Sequence, residues 1–203
     1  PWGSSSSFGY TVWNNNSLSK YFVNKIPYAF EYTDIQARIG YSHTAYPVLT
    51  TDLTLLVRAE ANAMLGKYAE AVQDLNTEVK AFSGGNLSVT LTGIQDFYQG
   101  INYYTPTEPT PKKKFHTAFS IESTTQEPIL QAILQLRRIM TVGEGWRLQD
   151  VKRYGIVMYR RTLNDSRKVI AVTDTMKEDD PRRAIQLPQD VITAGLPANP
   201  RNK

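Results

Sequence analysis

The sequence predicts a mainly α-helical fold with irregular loops and a small β-hairpin. Apolar residues recur every three or four positions across 51–82 and across 128–140, which is the period of amphipathic helices. Two strand-like runs, 156–163 and 168–175, flank the polar turn Asn-Asp-Ser-Arg and indicate the hairpin. With 203 residues, 41% of them hydrophobic, the chain is long enough to bury a core.

Residues 1–50 form the first predicted region, a loop-rich segment. Serine, asparagine, tyrosine and glycine dominate it, aromatic residues are interleaved among them, and no period persists. We expect loops and short strands here.

Residues 51–82 are predicted to form two antiparallel helices. Thr51 and Asp52 are N-cap candidates, and Gly66 is suited to ending the first helix. The predicted apolar stripes are Leu53, Val57, Ala61, Met64 and Leu65, then Tyr68, Val72, Leu75, Val79 and Phe82. A turn of this length makes the pair a hairpin.

The turn region of this hairpin resembles a tetratricopeptide repeat. Leu65, Gly66, Tyr68 and Ala71 occupy the positions at which such repeats use small and aromatic residues. The pattern predicts an α-α helical repeat unit that needs further helices to cover its apolar faces.

Residues 83–125 are predicted to be an irregular excursion. Glycines, prolines and the stretch Thr-Pro-Thr-Glu-Pro-Thr-Pro oppose regular structure. Lys112, Lys113 and Lys114 follow, and without basic or aromatic residues at regular spacing they indicate a solvated loop.

Residues 126–203 complete the predicted domain. A helix begins near Pro128 and presents the stripe Ile129, Ile133, Leu136 and Met140, widened by Leu130 and Leu134. A short helix over 146–154 ends at Gly155, the β-hairpin follows, and a proline-rich tail is expected to be extended.

Composition argues against several kinds of chemistry. The chain has no cysteine, so thiolate catalysis and zinc–thiolate sites are excluded. Its two histidines, His43 and His116, lie in no metal-binding or nucleophile motif, so we expect no metal, no cofactor and no enzymatic activity. The net charge of +4 is too small an excess to indicate nucleic-acid binding.

The densest charge cluster, Glu144 to Arg153, admits catalytic, nucleic-acid and structural interpretations. Mixed signs disfavour a nucleic-acid face, and neighbouring guanidinium groups would depress the pKa of a carboxylate such as Asp150. A brace fits better, because arginine forks pair with carboxylates and helix-end carbonyls.

This cluster resembles the C-terminal signature of the SusD/RagB nutrient-binding lipoproteins of Bacteroidetes. The matching residues are Arg137, Arg138, Glu144, Gly145, Arg147, Asp150, Lys152, Arg153 and Gly155. Two further stretches agree with the family. Arg58 to Ala61 match its Arg-Ala-Glu-Ala helix core, and 180–189 resemble its closing Asp-Pro-Arg segment. Ile139 and Met140 stand where the family commonly has Arg-Glu, so we expect the brace to lack one ionic arm.

The resemblance implies a SusD-like fold and a function in nutrient capture. Members of the family lie on the outer-membrane surface, held by an N-terminal lipid anchor, and deliver oligosaccharide, or in some cases peptide, to a SusC-like TonB-dependent transporter. They are usually much longer, so the resemblance implies that residues 1–203 are a C-terminal portion. A helical-repeat protein-interaction scaffold is the alternative from a different class.

Ligand contacts are predicted from chemistry, because the family signature is structural. Aromatic rings stack on the C–H faces of sugars, and amides bind the hydroxyls. Trp2, Tyr10, Trp13 and Asn14 combine these groups near the start of the chain. Tyr98 and Tyr103 are predicted as a second contact pair.

Overall fold

A computed structural model of the protein describes residues 12–15, 17, 20–23, 29–44, 47–85, 87–166 and 168–200. The chain divides into two compact units, Pro1–Leu91 and Thr92–Lys203. The described part is mainly helical, with six α-helices, small antiparallel hairpins and connecting loops. The predicted fold class is therefore confirmed.

Two β-hairpins lie in the described part of the first unit. Strands β1 (Val12–Asn15) and β2 (Lys20–Val23) pair antiparallel, as do β3 (Ala29–Asp34) and β4 (Ile39–His43). The second hairpin contains a register shift between Tyr32 and Asp34. The sequence predicted short strands in this region but not their pairing.

The two helices that follow have nearly the predicted bounds. Helix α1 spans Thr51–Met64 and helix α2 spans Tyr68–Phe82. The predicted N-caps, Thr51 and Asp52, are wrong, because Thr50 is the N-cap and its hydroxyl accepts from the Leu53 amide at 3.2 Å. Thr50 has the extended backbone that an N-cap requires.

The predicted apolar face of α1 is also wrong. Val57 and Leu65 of the predicted stripe are exposed. The buried residues of α1 are Leu56, Ala59, Glu60 and Ala63. The helix sequence carries two apolar stripes, and the buried one contains two alanines, whose small side chains permit close helix approach.

Polar contacts join α1 to α2. Arg58 donates from Nε and Nη2 to the Asp74 carboxylate at 3.0 and 2.6 Å, and Asn62 adds a bond to Asp74 at 3.2 Å. One helical turn further along α2, Glu78 is buried. Burial, with the Asp52 charge as the second cause, raises the pKa of Glu78 to about 7.

The predicted irregular excursion contains a helix, α3, over Leu91–Gln99. Ile94 and Tyr98 lie four residues apart and are both buried. This single i, i+4 pair supports a helix that Gly93 and the surrounding polar residues obscured in the sequence.

Helix α4 (Gln126–Met140) supplies much of the buried apolar surface of the second unit, and helix α5 (Arg147–Arg153) adds Val151. All six predicted stripe residues of α4 are buried. Beyond α5, Tyr154 is fully buried and its ring lies 4.9 Å from that of Phe115.

The rest of the second unit is a hairpin and a partly helical tail. Strands β5 (Met158–Leu163) and β6 (Val169–Met176) pair antiparallel. The tail is not simply extended, because Pro181–Arg183 form a 3-10 turn and Gln189–Thr193 form α6. Asp180 caps the 3-10 turn by accepting from the Arg182 amide at 2.8 Å.

Candidate functional site

The four predicted contacts near the start of the chain have no described side chains. Trp2 and Tyr10 lie outside the described residues. Trp13 and Asn14 belong to β1, of which the structure describes the backbone. Their role in ligand binding stays a prediction.

Tyr98 is buried, which corrects its prediction as a ligand contact. Its side chain lies on the inner face of α3, the residue is 5% exposed, and its ring packs edge-on against Phe97 at 5.0 Å. Burial also raises the pKa of the Tyr98 hydroxyl. A ring that stacks on a sugar must offer it a free face, and on α3 it is the neighbouring Phe97 that is exposed.

Tyr103 lies at a surface recess of about 310 Å³ and is 39% exposed. The recess is lined by Tyr103, Lys114, Phe115, Thr117, Ile121 and Glu127. Its volume is at the lower end of the roughly 300–1,000 Å³ typical of small-molecule sites. We call this feature the Tyr103 recess.

The Tyr103 ring is held by groups from two segments. Its hydroxyl donates to Glu127 Oε1 at 2.8 Å, and the Lys112 ammonium lies 4.4 Å from its centroid. Gln131 Nε2 donates to the same Glu127 oxygen at 3.3 Å. Burial, followed by the hydrogen bond to Glu127, raises the pKa of Tyr103 to about 12, so the phenol stays neutral near pH 7.

Arg161 of β5 fixes the loop that carries Tyr103. Its Nη1 donates to the Tyr104 hydroxyl at 2.6 Å and its Nε donates to the Pro106 carbonyl at 2.7 Å. Its Nη2 donates to the Thr105 carbonyl. The Tyr104 amide also donates to the Lys112 carbonyl at 2.7 Å, so the loop is tied at both of its sides.

Lys113 is buried, which corrects the prediction that the three lysines form a solvated loop. The residue is 8% exposed, and its ammonium lies 3.4 Å from the centroid of the Tyr104 ring. Its backbone N–H donates to Gln131 Oε1 at 2.9 Å, and its carbonyl accepts from Gln131 Nε2. Lys114, the next residue, is exposed. Successive side chains of an extended segment point to opposite sides, and this alternation separates Lys113 from Lys114.

Positive charges surround the Lys113 ammonium. Burial is the main cause that lowers the pKa of Lys113 to about 7, and the guanidinium groups of Arg138, Arg147 and Arg161 lower it further. The cluster is drawn from α4, α5 and β5. No sequence pattern within 112–114 signals it, because its other members lie at least 25 residues away.

Arg137 and Asp150 join α4 to α5. Arg137 Nη1 donates to Asp150 Oδ1 at 2.6 Å, and both side chains are almost completely buried. Arg147 Nη1 approaches the other Asp150 oxygen at 3.9 Å. This is the geometry that a structural brace requires, and its burial leaves no access for a substrate.

The other signature residues have contacts of their own. Gly145 has φ +82°, a conformation that glycine adopts readily, and it immediately precedes the Trp146 N-cap of α5. Glu144, half-buried, donates its amide to the Thr141 carbonyl at 3.1 Å. Arg138 is half-buried, and the exposed Arg153 lies 5.4 Å from the Phe119 ring centroid.

The family model that describes the SusD family matches residues 3–193, nearly the whole chain. The chain belongs to the SusD family. The searches of curated proteins and of solved structures gave no match. SusD-family members are nutrient-binding surface proteins, and the family is one of binding rather than catalysis.

Arg183 is a structural residue of this SusD-family chain that the sequence analysis missed. It is buried, and its two terminal nitrogens donate to the Val151 and Ile156 carbonyls, each at 2.6 Å. Its neighbour Arg182 pairs with Asp174 and Asp180 at 2.7 and 2.6 Å. The Asp-Pro-Arg-Arg segment was the available signal, but its contacts lie up to 32 residues away.

This SusD-family chain shows no sign of a metal site or a membrane-spanning helix in the part that the structure describes. Within the described ranges, no three His, Asp or Glu side chains are grouped as a metal site would need. No helix among those ranges has the length and apolar character needed to cross a bilayer. His116 has a structural contact instead, with Nδ1 3.0 Å from the Gly155 carbonyl.

Proposed function

We propose that this SusD-family protein captures oligosaccharide at the outer-membrane surface and delivers it to a SusC-like TonB-dependent transporter without chemical change. The proposal rests on membership in a family of nutrient-binding surface proteins. The observation that carries it is the Tyr103 recess, where an aromatic ring and polar side chains share one concave surface.

The recess offers the two kinds of contact that a sugar uses. The exposed part of the Tyr103 ring stacks on a C–H face, and Phe115 and Ile121 extend the apolar wall. Glu127 accepts from sugar hydroxyls, and Lys114 donates to ring or hydroxyl oxygens. Because Tyr103 and Glu127 already hold each other at 2.8 Å, these groups are oriented before the ligand arrives.

The membrane and transporter partners belong to the same proposal. An N-terminal lipid anchor would hold the protein on the surface, and the SusC-like transporter would receive the ligand. Trp2, Tyr10, Trp13 and Asn14 are proposed as a second group of sugar contacts, for which Trp13→Ala is the direct test.

The experiment is a calorimetric titration of the longest native form with a panel of neutral and acidic oligosaccharides and a panel of peptides. We expect saturable binding of a saccharide, with chromatography recovering it unhydrolysed. Tyr103→Ala should weaken that binding by ~1–3 kcal/mol, the range for losing an aromatic anchor.

Tyr41→Ala, at an exposed tyrosine of β4 outside the recess, is the matched control and should bind like wild type. Unchanged affinity in a folded Tyr103→Ala protein would remove the recess from the proposal. Binding of peptides alone would move the protein to peptide capture, and turnover of the saccharide would contradict the absence of catalysis.

A further inference from the structure

The Tyr103 recess includes a lysine side chain, Lys114, whose position is open to solvent. Across the described ranges, no hydrogen bond, ion pair or ring contact engages its ammonium group. Lys112, two residues earlier, is engaged, because it lies over the Tyr103 ring and donates to the Ile101 carbonyl at 3.4 Å.

Glu127, the carboxylate among the described residues that line the recess, already accepts two hydrogen bonds. Glu127 Oε1 accepts from the Tyr103 hydroxyl at 2.8 Å and from Gln131 Nε2 at 3.3 Å. Two donors disperse part of its negative charge. Glu127 therefore orients Tyr103, and among the described residues no ion pair joins it to Lys114.

Further positive charge lies behind the same loop. The buried Lys113 ammonium contacts the ring of Tyr104, the residue after Tyr103. Arg161 lies over the same ring, 4.3 Å from its centroid. Lys113 and Arg161 donate hydrogen bonds to loop carbonyls, so neither is free to contact the ligand directly. Arg161, and Lys113 when it is protonated, contribute a positive field behind the recess.

We propose that the Tyr103 recess selects acidic saccharides, in which a carboxylate or sulfate group pairs with Lys114 while the sugar ring stacks on Tyr103. This inference rests on the proposed function, because it names the class of saccharide that the same recess takes. A neutral sugar would satisfy Tyr103 and Glu127 but leave the Lys114 charge without a counterion.

The test compares ligands that differ only in charge. Calorimetry measures the affinity of a galacturonic acid trimer and of its methyl ester. Esterification keeps the sugar rings and converts each charged carboxylate to a neutral ester. A second arm compares a sulfated galactan tetramer with its desulfated form and so distinguishes carboxylate from sulfate. In at least one arm the anionic member should bind about two- to fivefold tighter at low salt, the range for an exposed ion pair.

Salt and charge variants locate the effect. The preference should shrink at high salt, because the Debye length falls to about 3 Å at 1 M and exposed charges then interact only at very short range. Lys114→Gln should remove the preference, and Lys114→Arg should keep it. Lys152→Gln, at an exposed lysine of α5 outside the recess, should leave it unchanged.

The outcomes separate this inference from the proposed function. Equal binding of charged and neutral members overturns acidic selection while saccharide capture stands. A preference that survives in Lys114→Gln overturns the role of Lys114 as the contact. Failure of every saccharide to bind contradicts both proposals together.

Discussion

The ammonium of Lys113 lies 3.4 Å from the centroid of the Tyr104 ring, in a site that leaves the lysine 8% exposed. Tyr104 also stacks on Tyr159 of β5, with the ring centroids 5.3 Å apart. The buried Lys113 amine therefore lies against a ring that itself packs on β5. Its burial makes the stability of the second unit depend on pH.

The first prediction concerns that dependence. The folded pKa of Lys113, about 7, is below its ordinary value of 10.5, so the unfolded chain binds the proton more tightly. The cost of burying the charge is complete below pH 7 and declines as the pH rises toward 10.5. Between pH 7 and pH 9, wild type should gain on the order of 2 kcal/mol of unfolding free energy relative to Lys113→Met.

Urea denaturation of both proteins at several pH values measures this difference. Lys114→Met, at the exposed neighbour, is the matched control and should follow the wild-type pH profile. Parallel profiles for wild type and Lys113→Met would show that Lys113 titrates normally in the folded protein.

Glu78 gives a second pH dependence, of opposite direction. Its folded pKa of about 7 is above the ordinary 4.5, because burial and the Asp52 charge disfavour ionisation. Its favourable contribution is present below pH 4.5 and is lost as the pH rises to 7. The side chain of Glu78→Gln never ionises. Between pH 4.5 and pH 8, the unfolding free energy of Glu78→Gln should therefore rise on the order of 2 kcal/mol relative to that of wild type.

Thermal or urea unfolding at the two pH values checks this difference. Glu70→Gln, at an exposed glutamate in the first turn of α2, provides the control. If Glu78→Gln and wild type kept the same stability difference at both pH values, Glu78 would not be a carboxyl of raised pKa.

The ion pair between Arg137 and Asp150 predicts a strongly coupled pair of substitutions. Removing one partner leaves a buried charge without its main counterion, so Arg137→Met or Asp150→Leu should lower the unfolding free energy by about 3–5 kcal/mol. The double replacement should recover most of that loss, because two apolar side chains then fill the site. A double-mutant cycle in urea measures the coupling, and simple additivity would contradict a direct interaction.

The apolar stripe of α4 could be predicted because it is a local pattern, and the family signature included Arg137 and Asp150 without indicating that they pair. Helix α4 has fifteen residues with one clear apolar face, and Arg137 and Asp150 lie thirteen residues apart. The buried face of α1 was predicted wrongly, because two stripes were available there and only packing decides between them. Lys113 was misjudged for a related reason, since its contact with Tyr104 and the charge of Arg161 depend on how distant segments meet.

The orientation of the predicted ligand contacts also depends on packing that the sequence does not show. Composition identified the aromatic stretch 97–104 but not which ring faces solvent. Helix α3 buries Tyr98 and exposes Phe97, whereas the loop after it exposes part of Tyr103. A nine-residue helix contains too few apolar repeats for its buried face to be predicted from the sequence.

Two signature glycines predict different costs for the same substitution. Gly155 has φ +57°, and a Cβ there would overlap the His116 carbonyl oxygen. Gly145 has φ +82° but open space around the position of a Cβ. We expect Gly145→Ala to cost about 1–2 kcal/mol from backbone strain alone. Gly155→Ala should cost about 1–3 kcal/mol more, because the backbone must also shift.

Urea unfolding of the two variants compares these costs directly. The His116 amide donates to the Tyr154 carbonyl at 2.9 Å, so the 116 segment has little freedom to move away. Equal destabilisation of the two variants would mean that the close approach at Gly155 is relieved without cost.

Arg161 predicts an effect on ligand affinity that is separate from stability. Its planar fork holds the Tyr104 hydroxyl and the Thr105 and Pro106 carbonyls, and a lysine at that position keeps the charge without the fork. In Arg161→Lys the loop that presents Tyr103 is no longer held in place and must be ordered when the ligand binds. We expect this ordering to cost about 1.4 kcal/mol, which lowers saccharide affinity about tenfold. The Arg161→Lys protein should keep the preference for charged over neutral saccharides, because lysine retains the positive charge. Arg160→Lys, at the exposed neighbour on β5, is the control, and equal affinity in the two variants would mean that the Tyr103 recess forms without the Arg161 contacts.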